Sequence, residues 1–141
     1  MLAHFAGYQG RLAVDNLANP KNPKALKSTC VPSCIFTDPE IASVGLNEDK
    51  AVSAGIDIDI RRFDFMGSSM ARIMNETEGL IKIISDKKSG IVIGASIIGP
   101  KATELIGILT LAVSNSLTIK NLTETIFAHP TLSESITEAL R

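Results

Sequence analysis

The stretch from Ala102 to Ser114 is apolar on nearly every side: Leu105, Ile106, Ile108, Leu109, Leu111, Ala112 and Val113 leave no broad polar face. Gly99-Pro100 ahead of it is a good helix opening, so the spacing predicts a helix over 102–114. Such a helix has to be covered on several sides, and a sheet in the same chain covers only one. Either the rest of its own domain or a partner subunit must do so, and the sequence leaves both open.

What precedes this helix is a set of extended segments. Ile56, Ile58 and Ile60 alternate with Asp57, Asp59 and Arg61, and the pattern continues to Phe63 and Phe65, the two-residue period of a half-buried strand with one wet face. Gly79 to Ser85 and Ile91 to Ile98 read as two strands of a hairpin, with Asp86-Lys-Lys-Ser-Gly90 as the turn. Upstream, Val31 to Val44 reads as two short extended pieces around Asp38-Pro39. Gly45-Leu46-Asn47 then introduces a short helix from about Glu48 to Ala54. Ser68 to Asn75 suits a loose helical turn, and helices over about Ile119–Thr125 and Leu132–Leu140 close the chain. Strands grouped ahead of paired helices predict an α+β fold, an antiparallel sheet with helices packed against it.

The N-terminal part stands apart. Leu2, Phe5, Ala6, Leu12, Ala13 and Leu17 space out an imperfect helix over 1–18 with one buried side. A helix opening on the first residue, with nothing before it to cap it, suggests a piece of something longer. Asn19-Pro-Lys-Asn-Pro-Lys24 breaks the helix with two prolines, so 19–30 is read as a linker and 31–141 as the domain proper.

At 141 residues, with 45% hydrophobic and 21% charged residues, the chain is long enough for one real core. A formal net charge of -1 with scattered lysines gives no positive face for a run of phosphates, so nucleic acid is not an expected partner. No apolar run approaches the roughly 20 residues that cross a bilayer. The start also lacks the basic and apolar pattern of a secretion signal, so no membrane association and a cytoplasmic location are expected. Cys30 and Cys34, the two cysteines, make neither a disulfide framework nor a zinc site. They read as ordinary thiols, because Ile35-Phe36 beside Cys34 points to a strand rather than to a helix N-terminus that would stabilise a thiolate. No P-loop or Gly-x-Gly-x-x-Gly is present with which to hold a nucleotide.

Chemistry concentrates in Phe127-Ala128-His129-Pro130-Thr131-Leu132-Ser133-Glu134, just before the last helix. A carboxylate held against one imidazole nitrogen fixes the tautomer of the ring and aims it for proton transfer, and His129 and Glu134 are spaced to form such a pair. Thr131-x-x-Glu134 equally fits a capping box, in which Thr caps the helix and Glu returns to the backbone N–H of the cap with no catalytic meaning. One glutamate has two oxygens and can do both. A hydrolytic triad of His129, Ser133 and Glu134 is disfavoured, since no nucleophile elbow accompanies Ser133. His4 and His129 lack the supporting ligand pattern of a metal site, and no metal is expected.

These residues resemble a known family. His129-Pro130-Thr131-Leu132-Ser133-Glu134 looks like the closing motif of the flavin-dependent pyridine nucleotide-disulfide oxidoreductases. Phe36-Thr37-Asp38-Pro39-Glu40-Ile41-Ala42-Ser43-Val44-Gly45 is similar to the motif that opens their dimerisation domain, and Met1-Leu2-Ala3-His4 to the family's helix start beside the flavin. The three occur in the family's order and together span the chain. Pro39-Glu40-Ile41-Ala42-Ser43-Val44-Gly45, taken with the closing motif, is most similar to the branch that oxidises dihydrolipoyl dithiols. Glutathione reductases usually differ after Thr37-Asp38-Pro39, and mercuric reductases carry a cysteine pair near the C-terminus.

The resemblance implies that residues 1–18 are a remnant helix of an FAD-binding domain and that 31–141 form the interface domain of a homodimer. The FAD- and NAD-binding domains, and the redox cysteines, would belong to a missing part of the same polypeptide, and no cofactor is expected on this chain alone. It further implies that His129 is the acid/base for the dithiol, reaching across the dimer into the partner's active site, and that Glu134 orients it. The His129–Pro130 bond would be cis. Met1, Leu2, Ala3 and His4 would bring backbone N–H groups to the flavin ring, and the lipoyl domains of 2-oxoacid dehydrogenase complexes would be partners. Another disulfide reductase's interface domain, or a non-catalytic oligomerisation module, remains the alternative.

Overall fold

A computed structural model of the chain describes residues 2–26 and 30–141. Part of the expected 19–30 linker, residues 27–29, lies outside the described residues, as does Met1. Helix α1 runs over Ala3–Ala18, followed by strands β1 (Ser33–Ile35) and β2 (Glu40–Gly45), helix α2 (Glu48–Ser53) and strand β3 (Ile58–Asp64). A 3-10 turn over Phe65–Gly67 and helix α3 (Ser69–Met74) lead to β4 (Leu80–Asp86) and β5 (Val92–Gly99). Helices α4 (Ala102–Ser114), α5 (Ile119–Thr123) and α6 (Glu134–Glu138) complete the fold.

The strands form one five-stranded sheet in the order β1-β2-β5-β4-β3, antiparallel throughout. This is the α+β architecture that the grouping of strands before helices predicts. The β4–β5 hairpin is set by its turn, where Asp86 Oδ1 accepts from the N–H groups of Lys88 and Ser89 and from the Ser89 hydroxyl. Phe65, expected at the end of β3, instead opens the 3-10 turn, and its ring is fully buried. The strand period ends at Asp64, where the chain turns the ring in under the sheet.

Helix α4 packs across the central strands β2 and β5. Ala102, Leu105, Ile106, Leu109 and Ala112 lie buried along one stripe, whereas Leu111 is 60% exposed and Ile108 and Val113 are half-buried. Within this chain, then, the sheet covers one side of the all-apolar helix and leaves another uncovered. Glu40 at the start of β2 fixes the helix in place: its Oε2 accepts from the backbone N–H of Thr103 at 2.9 Å and from the Thr103 hydroxyl at 2.7 Å. The opening motif thus caps α4 from the sheet. The same two bonds, the backbone N–H first, hold the Glu40 carboxyl below the ordinary carboxylate range.

Two local features carry stability predictions. Lys82 Nζ on β4 reaches both carboxylate oxygens of Glu48 in the first turn of α2, each at 2.8 Å, and the Lys82 bond is the main cause that holds the Glu48 carboxyl below its ordinary value. A depressed folded-state value makes the pair's contribution complete above the unfolded value of about 4.3, and it fades as pH falls through the folded value. Chemical denaturation should therefore show Glu48→Gln costing about 1 kcal/mol or less near neutrality, given partial solvent screening, with the difference shrinking below about pH 4. A pH-independent difference would show that the pair's charge contributes nothing. Ser135 on α6 is 1% exposed, and its hydroxyl finds no hydrogen-bond partner among the described residues. Ser135→Ala removes an unmet polar group, so the thermal midpoint should rise, by the equivalent of about 1 kcal/mol.

Helix α6 is shorter than the sequence predicts, five residues in place of the whole 132–140 stretch. Both its ends are tightened into i to i−3 bonds: Ser135 N–H to Leu132 O, Ile136 N–H to Ser133 O, and Leu140 N–H to Thr137 O. Burial of Leu132, Ile136, Ala139 and Leu140 secures it, and the Arg61 guanidinium on edge strand β3 donates to the Leu140 carbonyl. Helix α1 shows the opposite pattern. None of its residues is fully buried: Phe5 and Leu12 on the side expected to be covered are half-buried, and Ala6, Ala13 and Leu17 are exposed.

Candidate active-site segment

The connection from α5 to α6 leaves Ala128, His129 and Pro130 exposed, with Ile126 beside them at 97% exposure, before Leu132 returns the chain to the core. The His129–Pro130 peptide is cis, as the resemblance implies, and so is Asp38–Pro39, which no sequence signal singles out. The His129 side chain is 71% exposed. Its Nδ1 lies 2.9 Å from Glu134 Oε1.

Glu134 uses both of its oxygens. Oε1 faces the imidazole while Oε2 accepts the backbone N–H of Thr131 at 2.8 Å. That N–H bond first, and the His129 ring second, hold the Glu134 carboxyl below the ordinary range. An ionised carboxylate can only accept, so Nδ1 must donate, and in the neutral ring Nε2 carries the lone pair. The geometry gives an exposed proton acceptor whose tautomer is set from behind.

The capping box is present only in half. Glu134 reaches back to the Thr131 N–H as that reading requires, but Thr131 does not cap α6. Its hydroxyl turns away to donate to Ala128 O at 2.7 Å, and the helix begins at Glu134, where Ser133 makes no side-chain cap. The physical reason is direction: the rotamer that aims the hydroxyl's O–H at the Ala128 carbonyl faces back along the chain, away from the helix N–H groups that a cap would accept.

At the other end, Leu2 precedes α1 in an extended conformation, no side chain caps the helix, and its first turn has no acidic residue. Ala3 and His4 are exposed. Among the described residues no side chain answers the first N–H groups of the helix, where its dipole is positive. The His4 ring is not free to roam: its Nε2 meets Pro32 O at 2.8 Å, which ties α1 to the approach to β1. No sequence signal points to this bond, because the two residues are joined through a linker with no periodicity. Cys34 sits half-buried in β1, and burial, then Glu40 and Glu104, push its thiol up, the reverse of what a reactive thiolate needs.

Residues 31–140 match the family described as pyridine nucleotide-disulphide oxidoreductase, dimerisation domain, and the chain belongs to it. Among individual proteins it is similar to the dihydrolipoyl dehydrogenase of Geobacillus stearothermophilus, 41% identical over 138 residues, which are 98% of this chain and 29% of that protein. The fold superposes on LpdA from Mycobacterium tuberculosis with a TM-score of 0.90 at 32% identity, over 99% of this chain and 30% of that one. The HOCl-induced flavoprotein disulfide reductase RclA from Escherichia coli is similar too, with a TM-score of 0.81 at 29% identity, over 90% of this chain and 29% of that one. The chain thus spans about three-tenths of the length of the relatives it matches.

Proposed function

We propose that this chain is the dimerisation domain of a cytoplasmic dihydrolipoyl dehydrogenase and that it contributes His129 and Glu134 as the acid/base pair. The observation that carries this reading is an imidazole 71% exposed, with Nδ1 engaged by Glu134 and no bond at Nε2 among the described residues. In the homodimer, Nε2 would take the proton of the attacking dithiol as its sulfur joins the partner's redox disulfide, and later stabilise the thiolate released there. Glu134 would hold the ring and balance the imidazolium charge.

FAD and NAD would be held by other domains of the same polypeptide, with the N–H groups at Leu2, Ala3 and His4 against the flavin's pyrimidine edge; a bound flavin supplies the two-electron relay from the thiols to NAD. The dihydrolipoyl group would arrive on the lipoyl domains of 2-oxoacid dehydrogenase complexes. The likeness to RclA favours a second reading, the interface domain of another flavoprotein disulfide reductase, with the same pair in the same role.

Subunit mixing tests the shared site. A His129→Gln polypeptide should be nearly inactive as a homodimer, as should one whose redox cysteines are replaced. Heterodimers of the two should regain one working site in two, because the intact cysteines then meet an intact histidine from the partner. Mixtures no more active than the parents would show that the histidine serves its own subunit or none.

A further inference from the structure

We infer that Thr131 is a positioning residue for His129, acting through its side-chain hydroxyl; this deepens the proposed acid/base reading and rests on it. The segment bearing the imidazole is closed by three short hydrogen bonds that share partners. Thr131 Oγ1 donates to Ala128 O at 2.7 Å, Thr131 N–H donates to Glu134 Oε2 at 2.8 Å, and His129 Nδ1 meets Glu134 Oε1 at 2.9 Å. Thr131 is the only residue of the three bonds that contributes both backbone and side chain. Its hydroxyl fixes the carbonyl one residue before the histidine, and its amide fixes the carboxylate that faces the ring.

The need for such a brace follows from exposure. Nothing packs against most of the imidazole, so its direction is set by its backbone and by Glu134. Glu134 is itself placed well, since it starts α6 and its backbone carbonyl accepts the Thr137 hydroxyl at 2.8 Å. Along 128–130, where Ala128, His129 and Pro130 are all exposed, the Thr131 hydroxyl on Ala128 O is the matching anchor among the described residues. Leu132, 8% exposed, is the next buried residue, and Thr131 is the half-buried step between them. The hydroxyl bond spans only three residues, so it orders little chain that Pro130 has not already restricted. A proton acceptor held at the right angle by such a bond works on every turnover, and a misplacement of about 1 Å at a reacting centre can cost about a hundredfold in rate.

Two measurements separate this brace from a cap that merely stabilises α6. In the chain itself, side-chain nitrogen NMR in alkaline buffer reads the tautomer of the neutral His129 ring. Wild type should hold the Nδ1–H form; Thr131→Val, which keeps the shape and deletes the hydroxyl, should shift population toward Nε2–H; Thr131→Ser should recover most of the wild-type distribution. In the polypeptide carrying the flavin and nucleotide domains, Thr131→Val should lower kcat about tenfold with KM for the dithiol little changed, and Thr131→Ser should restore most of it. If Thr131→Val does not fold, Thr131→Ala is read in its place against the same Ser variant. An unchanged tautomer and turnover without the hydroxyl, or a Ser variant as impaired as Val, overturns the inference. A His129→Gln control that turns over normally would instead overturn the acid/base reading, while the tautomer measurement would still decide whether Thr131 braces the ring.

Discussion

Replacing His129 with Gln, in a polypeptide that also carries the flavin- and nucleotide-binding domains, is expected to lower dithiol oxidation by about 10²–10⁴-fold. Flavin content should be unchanged, because His129 belongs to the α5–α6 connection whereas the N–H groups proposed to meet the flavin stand at the start of α1. Gln keeps a hydrogen-bonding side chain of similar reach and can still donate to Glu134, but it has no nitrogen that takes up a proton near neutrality. The fall should appear in kcat and in kcat/KM together, the mark of an interaction made in the transition state rather than in binding. Folding should be indifferent. A side chain 71% exposed contributes little packing, and such surface substitutions usually change stability by about 0.5 kcal/mol or less. Steady-state turnover with a free dithiol, together with a thermal melt, measures both halves, and normal turnover by a folded, flavin-loaded variant would remove His129 from the chemistry.

Apart from the motif resemblance, spacing is what marks this site in the residues themselves, and spacing reaches only part of it. His129 and Glu134, five residues apart, are legible as a pair because both residue types carry chemistry and lie in a turn. Which reading of Glu134 holds, ring partner or helix cap, is not legible from spacing, since the answer depends on where each of two oxygens points. In the folded chain Oε1 takes one role and Oε2 the other. The motif assigns the Thr131 hydroxyl to a cap and says nothing of the Ala128 carbonyl to which it donates. β3 is legible to within a residue or two from its two-residue period, and β4 and β5 from the turn signal of Asp86-Lys-Lys-Ser-Gly90 between two apolar runs. Arg61 on β3 reaching Leu140, and Glu40 on β2 capping α4, have no such signal. Each joins segments far apart in the chain, and only the strand order brings them together.

A large stability loss is expected from Gly45→Ala, and its size separates two costs that usually arrive together. Gly45 ends β2 at a φ of +79°, a conformation that costs an L side chain roughly 1–2 kcal/mol. It also pairs with Gly94 on β5, so that two residues without side chains face each other at the centre of the sheet. A Cβ at Gly45 would lie 2.2 Å from Ile93 O and 2.7 Å from Gly94 Cα. That carbonyl already accepts the N–H of Leu46 at 2.9 Å, so the new methyl would strike the bond that turns the chain out of the sheet toward α2. Backbone cannot rotate aside as a side chain can; β2 and β5 would have to part, and α4 rests on both. The expected loss is about 4 kcal/mol, in the range reserved for disrupted cores and strained backbone. Gly55 supplies the matching control, with a φ of +72° and nothing within 4 Å of the place a Cβ would take. Gly55→Ala should therefore lose only the conformational part, roughly 1–2 kcal/mol. Urea denaturation of both variants measures the difference directly: equal losses would mean that the close approach of β2 and β5 relaxes freely, and a Gly45 variant that costs several-fold more would locate the excess in the contact between the two strands.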